Sequence, residues 1–105
     1  MEENSKYELI AMNIIASAGE TRSMCIEALR EAREDNFEAA EKLIADAEQT
    51  IQMAHKTQMD LLVAEANGEK ADISILLIHA QDHFMTSLLA LDLTREIIEL
   101  HKKGK

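Results

Sequence analysis

The segment ILLIHAQDHFMTSLLALDLTREIIEL, residues 75–100, places apolar side chains three and four residues apart over its whole length. That spacing is the period of an α-helix with one apolar face. The apolar set consists of Ile75, Ile78, Met85, Leu89, Leu93, Ile97 and Leu100. Its near-heptad repeat is typical of helices that pack side by side at shallow angles. The segment therefore predicts one long amphipathic helix in an all-α protein.

Two further helices with the same spacing are predicted upstream. The first carries Ile10, Ile14, Ala18, Cys25, Ala28 and Ala32, and the second carries Phe37, Ala40, Ile44, Ala47, Ile51, Ala54 and Leu61. The chain contains no Pro and only three Gly, so few residues interrupt a helix. We expect the three helices at approximately 4–34, 37–66 and 73–102.

Residues that favour turns and helix ends separate these helices. Asp35, three residues before Glu38, predicts a capping box that opens the second helix. Asn67-Gly68 predicts a left-handed end of that helix, and Asp72 is a candidate N-cap for the third. Because both connections are short, consecutive helices should run in opposite directions. The predicted fold is an antiparallel three-helix bundle, up-down-up, forming a single domain over residues 1–105.

The length of the helices favours self-association. A helix of about 30 residues is roughly 45 Å long, which is more than a compact domain of this size needs. Three such helices enclose a thin core and leave apolar side chains exposed on their outer sides. We expect the third helices to meet around a symmetry axis in a homo-oligomer, although the periodicity does not count the subunits.

Composition excludes several classes of function. The net charge of -9 and the presence of only three aromatic residues argue against nucleic-acid binding. The N-terminal MEENSKYE lacks the pattern of a signal peptide and no apolar run spans a bilayer, so we expect a cytoplasmic protein. The single cysteine, Cys25, favours a reducing compartment and a buried thiol. The methionines expected to fill the core are Met12, Met24, Met53, Met59 and Met85.

The side chains best suited to catalysis or metal binding lie early in the third helix. On a helix His79, Asp82 and His83 share one side, because residues three and four apart are neighbours. An imidazole can act as a nucleophile toward a phosphoryl group, carry a proton or bind a metal. A carboxylate one turn away can orient a ring or hold a cation, and Gln81 can supply hydrogen-bond donors nearby.

The position of Asp82 is unusual for a carboxylate. It lies in register with Ile75 and Leu89, seven residues to either side, which are apparent positions of the packing seam. A buried carboxylate is costly unless it is paired, protonated or bound to a metal. If the third helices meet about an axis, several copies of Asp82 converge. Mg²⁺ or Ca²⁺, which prefer oxygen ligands, would fit such a ring.

Other interpretations of these residues stay open. His79 and Asp82 can form a polar pair on a solvated face, or a seam residue can serve only to fix register and oligomeric state. The H-x3-H spacing can bind zinc, but the HExxH protease pattern is absent because residue 80 is Ala80. His55 is a weaker candidate, since a lone helical histidine is more often structural or solvated. The sequence contains no Gly-rich phosphate loop, so a phosphate-handling role would require another protein as donor.

The segment His79-Ala80-Gln81-Asp82-His83-Phe84-Met85 resembles the signature of the lactose/cellobiose (chitobiose) family of IIA proteins of the bacterial sugar phosphotransferase system. Residues 15–23, 27–29, 54–58 and 65–68 agree with the same family, in the same order, so that the resemblance covers nearly the whole chain. Phe84 stands where Leu is usual, and Asn36 stands where the family often has Gly.

The resemblance implies a homotrimer of three-helix subunits, a nine-helix bundle, and a phosphocarrier function. It implies that His79 accepts the phosphoryl group from HPr and passes it to a cysteine of the cognate IIB protein, with the membrane component IIC involved only indirectly. By motif position, Asp82 from three subunits would hold a divalent metal on the axis, for which we expect Mg²⁺, while Gln81 and His83 would line the site. The transported disaccharide, in the cellobiose, chitobiose or lactose class, is not fixed by the sequence.

Two other classes of function compete with the phosphocarrier. The first is a helical oligomeric interaction or metal-binding module without phosphotransfer. The second is a histidine phosphotransfer domain of a two-component relay, but such domains are usually monomeric four-helix bundles. Three predicted helices and an axial Asp82 fit that class poorly.

Overall fold

A computed structural model of the protein describes residues 2–69 and 74–104, with side chains from Lys6 onward. The three helices are α1 (Glu2–Arg33), α2 (Phe37–Ala66) and α3 (Ile75–Lys103), and the described residues form no strand. The predicted all-α class and three-helix bundle are therefore confirmed. The bundle is a rod measuring 55 × 21 × 19 Å. In the described part of the chain no helix is apolar over a length that could cross a membrane.

Contacts between helices show the up-down-up order. Ser87 of α3 donates a buried hydrogen bond of 2.9 Å to the carbonyl oxygen of Ala18 in α1, and further along both helices Thr94 contacts Cys25. These two helices therefore run in the same direction. Helix α2 runs the opposite way, because Gln58 near its end meets Gln81 near the start of α3.

Helix α1 is the central helix of the bundle. It packs along both of the others, whereas α2 and α3 touch each other much less. Small side chains make this possible, because Ala allows two backbones to approach on either side of α1. The buried residues of α1 are Ala11, Ile14, Ala18, Thr21, Cys25, Ala28 and Ala32, and those of α2 are Ala40, Ile44, Ala47, Ile51 and Ala54. Both sets agree with the predicted apolar stripes.

The stripe predicted for α3 does not face this core. The side chains that α3 buries in the chain are Leu77, Ala80, Phe84, Ser87, Leu91, Thr94 and Ile98. The predicted set lies outward, with Ile75 86%, Leu89 57% and Leu100 69% exposed. Both faces of α3 have helical spacing of apolar residues. The face toward the core contains Ala, Ser and Thr and is therefore less apolar than the outward face, which is why the sequence pattern selected the outward face. Methionines follow the same trend, since Met12, Met53, Met59 and Met85 are exposed rather than in the core and only Met24 is half-buried.

The turn between α1 and α2 differs from the predicted capping box. Asp35 adopts φ 64°, and the N–H groups of Asp35 and Asn36 donate to the carbonyl oxygens of Ala32 and Glu31 at 2.9 Å each. This is the Schellman pattern that ends a helix, with Asp35 in the left-handed position usually held by Gly. The N-cap of α2 is Asn36, at φ -85°, and its side chain makes no capping bond. The left-handed residue is therefore Asp35 and not Asn36.

The end of α2 is as predicted. Gly68 has φ 92°, and the N–H groups of Gly68 and Glu69 donate to the carbonyl oxygens of Glu65 and Ala64 at 3.0 Å each. Helix α3 begins after Ser74, whose hydroxyl oxygen accepts from the Leu77 N–H at 3.1 Å. Asp72, the predicted N-cap, lies outside the described residues, and the observed cap is Ser74.

Replacing Gly68 by Ala should destabilise the protein. A Cβ on Gly68 meets no atom within 4 Å, so the cost is the left-handed backbone alone, about 1 kcal/mol. Gly104 is the matched control, because its φ is -73° and an added Cβ makes only ordinary contacts. Urea unfolding at equal protein concentration should show a lower midpoint for Gly68→Ala and little change for Gly104→Ala. Equal midpoints for the two variants would contradict the left-handed turn.

Candidate functional site

His79 and His83 form a pair on the surface of α3. They lie one helical turn apart, and their Nε2 atoms are 3.0 Å from each other. The two rings meet edge to face, with centroids 4.4 Å apart and an angle of 85° between their planes. His79 is exposed and His83 is half-buried. The pair therefore consists of an exposed imidazole in contact with a second imidazole that is half-buried.

The short contact constrains the protons of the pair. A hydrogen bond between two ring nitrogens needs one donor and one acceptor, so one proton lies between the two Nε2 atoms. One of the rings must then present a lone pair at Nε2 and carry its own proton at Nδ1. An imidazole lone pair is the group required for nucleophilic attack on phosphorus.

Among the described residues, no hydrogen bond or ion pair joins the Asp82 carboxylate to either ring of this pair. Its side chain is exposed, and among the described residues no hydrogen bond or ion pair joins its carboxylate to another group. It lies in the middle of the outward apolar stripe of α3, between exposed Ile78 and exposed Met85. A lone carboxylate in such a stripe is costly to bury, so any partner that covers the stripe must also accommodate its charge.

A metal centre is not formed within the single chain. Across residues 6–69 and 74–104, no group of three or more His, Cys, Asp and Glu side chains is arranged to hold a metal ion. The expectation from the sequence was a site with one Asp82 from each of three subunits. One chain contributes only one of those carboxylates.

Gln81 lies on another side of α3. Its Oε1 accepts a hydrogen bond of 2.6 Å from Nε2 of Gln58 in α2. Both amides line a largely apolar groove of about 250 Å³ between α2 and α3, with Leu61, Leu62, Glu65, Leu77 and Ile78. Residues two apart on a helix do not face each other, so within one chain Gln81 does not reach the ring of His79. The role of Gln58 as its partner was not singled out from the sequence, since a polar residue on α2 gives no signal of its contact on α3.

His55 packs beside the core. Its ring centroid is 5.9 Å from that of Phe84, with a tilt of 38°. Phe84 is 1% exposed and is the largest fully buried side chain. His55 itself is exposed, so its ring lies on the surface beside this core residue.

Cys25 is buried in α1, as expected. Burial raises the pKa of its thiol, while a hydrogen bond with Thr94 and the charge of Arg95 oppose that rise. Because the thiolate is the reactive form, this cysteine is a poor nucleophile at neutral pH.

The raised pKa of Cys25 predicts a loss of stability at alkaline pH. In the unfolded chain the thiol ionises around its ordinary value of 9.0, whereas in the folded protein it keeps its proton to higher pH. The unfolded state therefore binds fewer protons above that pH, and the free energy of unfolding falls as pH rises. Urea unfolding on both sides of pH 9.0 should show a smaller alkaline loss for Cys25→Ala than for the wild type. The same loss in both proteins would contradict the assignment.

An exposed imidazole on a helical bundle is a group that can act as a nucleophile toward a phosphoryl group. The family model described as "PTS system, Lactose/Cellobiose specific IIA subunit" matches residues 9–102. The chain belongs to this family, and it is a IIA component of a sugar phosphotransferase system.

Individual relatives agree with this assignment. The lactose-specific EIIA component of Staphylococcus epidermidis is 47% identical over 99 residues, covering 94% of this chain and 95% of its own. The crystal structure of the cellobiose-specific enzyme IIA of Bacillus anthracis is similar with a TM-score of 0.89 and 40% identity, over 92% of this chain and 89% of that one. A chain from the solution structure of the IIA(Chitobiose)–HPr complex of Escherichia coli gives a TM-score of 0.80 and 37% identity, over 92% and 94%.

Proposed function

We propose that this protein carries a phosphoryl group on His79 during sugar import. It accepts the group from phospho-HPr in the cytoplasm and passes it to a cysteine of the cognate IIB protein. The observation that carries the proposal is the exposed His79 ring with its Nε2 held at 3.0 Å by His83, in a chain that belongs to the IIA family. The similarity to a relative solved in complex with HPr supports the choice of donor.

Each transfer is a displacement at phosphorus. HPr is a histidine-containing phosphocarrier. A lone pair of the His79 imidazole attacks the phosphoryl group while the bond between phosphorus and the HPr histidine nitrogen breaks, and that electron pair returns to the HPr histidine. In the second step the IIB thiolate attacks the phosphorus, and the electron pair of the broken bond returns to His79. Positioning and charge stabilisation contribute most to such reactions. An exposed ring on a rigid helix suits both steps, since donor and acceptor must each reach the same nitrogen in turn.

The homotrimer belongs to this proposal. The outward stripe of α3 runs from Ile75 to Leu100 and leaves seven large apolar side chains exposed in the single chain. A continuous apolar stripe of this length marks an interaction surface. Its near-heptad spacing fits parallel copies of α3 packed about a three-fold axis, which gives the nine-helix bundle implied by the family.

A divalent metal on that axis is proposed with the trimer. In this arrangement three Asp82 carboxylates approach one another inside an apolar seam, where their repulsion is costly. The donor set fits Mg²⁺, because the ion prefers oxygen ligands and no hydrogen bond or ion pair in the described residues engages the Asp82 carboxylate. When bound, the ion would supply two positive charges that offset most of the three negative charges.

The sugar is proposed only as a class. Relatives are named for lactose and cellobiose, and others for N,N'-diacetylchitobiose and lichenan. We propose a disaccharide of this group as the transported substrate. Its further identity depends on the membrane component.

The competing function is an oligomeric binding or metal-binding module without phosphotransfer. The outward stripe and its central Asp82 would serve such a module equally well. Only the chemistry of His79 distinguishes the two functions.

Phosphorylation of the wild type and of His79→Ala tests the carrier function. With phosphoenolpyruvate and the general phosphotransferase proteins, the wild type should acquire an acid-labile, alkali-stable label, and His79→Ala should acquire none. The ring of His79 is exposed, so its removal should leave the fold intact, which circular dichroism can check.

His55→Ala is the matched control, because it removes an exposed helical histidine outside the pair and should keep the label. No label on the folded wild type would support the binding module instead. A label that persists in His79→Ala would place the phosphoryl group on another histidine.

Substitution of Asp82 tests the axial metal. The wild type should sediment as a trimer of 11.8 kDa chains, and a chelator such as EDTA should lower its melting temperature. Asp82→Asn removes the repelling charges, so its melting temperature should no longer respond to EDTA.

Asp92→Asn serves as the control for Asp82→Asn. Asp92 is an exposed carboxylate on the same helix that contacts Arg95 instead of the stripe. It should respond to EDTA as the wild type does. A wild-type trimer that is insensitive to EDTA would contradict the metal site.

A further inference from the structure

Gly19 is a glycine inside a long helix, and the fold of the single chain gives no reason for it. It lies within α1, where glycine is less favourable than alanine because its backbone loses more freedom on folding. A glycine is usually required where the backbone is left-handed or where a neighbour leaves no space for a Cβ. Among the described glycines the left-handed one is Gly68, and a Cβ built on Gly19 meets nothing within 4 Å. The missing side chain therefore points to a contact with something outside the chain.

Gly19 lies on the side of α1 that faces away from α2. Ser17 lines a groove together with Met53 of α2, so Ser17 is on the side toward α2. Residues two apart on a helix point in different directions, so Gly19 is turned away from that groove. Its neighbour Ala18 accepts the buried hydrogen bond from Ser87 of α3. Gly19 is therefore beside α3, on the outer side of the bundle.

The histidine pair lies on this same side. Gln81 binds Gln58 and so faces α2, whereas His83 is two residues further along α3 and faces away from α2. His79 lies one turn from His83 and shares its side. The side of the bundle opposite α2 therefore presents Gly19 on α1 and both histidines on α3.

A protein that covers His79 also covers Gly19. Ser87 is eight residues after His79 and level with Ala18, which puts Gly19 roughly 14 Å along the bundle from His79. An interface of ordinary size buries about 800 Å² of each partner, which corresponds to a disc of about 16 Å radius. Gly19 lies within such a disc centred on His79.

The other residues of α1 on this side have the composition of an interface. Met12, Ile15, Arg22 and Ile26 are three or four residues apart in series with Gly19, and we call these five residues the side stripe. Met12 is 53% and Ile26 45% exposed. The side stripe contains no acidic residue, although 20 of the 105 residues of the chain are Asp or Glu. Interfaces between proteins are enriched in Met and Arg and depleted in acidic residues.

We propose that the side stripe is a docking surface for phospho-HPr and that Gly19 is the point where this partner comes against the backbone of α1. The inference rests on the proposed function, in which phospho-HPr must reach His79 on the same side of the bundle. A second copy of the chain fixed over this side would close off His79. Glycine is suited to such a point because it lets another protein approach the helix backbone closely.

Substitution of Gly19 should change stability and docking in opposite directions. Gly19→Ala favours the helix, so the equilibrium constant for unfolding should fall by about fivefold in urea titrations at equal protein concentration. The added Cβ stands between the partner and the backbone, so the KM for phospho-HPr should rise by about tenfold while the maximal rate stays near that of the wild type. Gly19→Leu, with a larger side chain, should raise the KM further. A residue with a structural role alone would not give a more stable protein with a weaker partner.

The initial rate of phosphorylation at increasing concentrations of phospho-HPr gives the KM and the maximal rate. Ala39→Leu is the control for added bulk, because Ala39 is an exposed residue in the first turn of α2, at the other end of the bundle from the histidines. It should keep the wild-type KM. Sedimentation checks that each variant assembles as the wild type does.

Three results would overturn the proposal. The first is a wild-type KM for folded Gly19→Ala and Gly19→Leu, and the second is an equal rise in KM for Ala39→Leu. The third is loss of assembly in Gly19→Leu, because a second copy of the chain would then be the protein that contacts Gly19. Failure of the proposed function is distinct, since it would appear as an unlabelled wild type or as a label that survives His79→Ala.

Discussion

The structure depends on the close packing of α1 between the two other helices. Alanines such as Ala18 and Ala28 on α1 are fully buried, and they let α2 and α3 approach α1 from two sides. Because α1 fills this central position, α2 and α3 contact each other little. Ion pairs of Arg95 with Glu48 and of Lys102 with Glu41 cross between them, and such exposed pairs contribute little to stability. The bundle therefore cannot cover the far side of α3.

That constraint explains where the site lies. Helix α3 buries one face against α1 and presents a second apolar face outward. His83 is at the margin of the buried face, half-covered, and exposed His79 is one turn away from it. The histidine pair thus combines a half-buried ring with an exposed ring. A site in the middle of either face would be closed by the core or by whatever covers the outward stripe.

The sequence predicted the helices and the histidine pair well, because both follow from spacing alone. Apolar periodicity defines a helix, and His79 and His83 are four residues apart. Spacing did not identify which face of α3 is inside, since the core face uses Ala80, Ser87 and Thr94 where hydrophobic patterning expects Leu or Ile.

Turn geometry and contacts between helices were harder to predict than the helices themselves. Asp35 is an ordinary N-cap residue by type, but here it takes the left-handed position that ends α1, and it lies 3.3 Å from Nε2 of His101. The bond between Gln58 and Gln81 joins residues 23 apart in the chain. Neither has a local signal, because each depends on how two elements meet in space. The trimer and the metal remain predictions for the same reason.

A phosphocarrier must bind its phosphoryl group strongly enough to accept it and weakly enough to pass it on. If the phosphoryl group on His79 were bound by several cations, donation by HPr would be favourable but transfer onward would be slow, because the acceptor would have to compete with those contacts. In the part of the chain that the structure describes, no Lys or Arg donates a hydrogen bond to either ring of the pair. The net charge of -9 likewise supplies no general attraction for a phosphoryl dianion. A phosphoryl group accepted by this pair would therefore meet little fixed positive charge, and it would stay available for a second displacement at the same nitrogen.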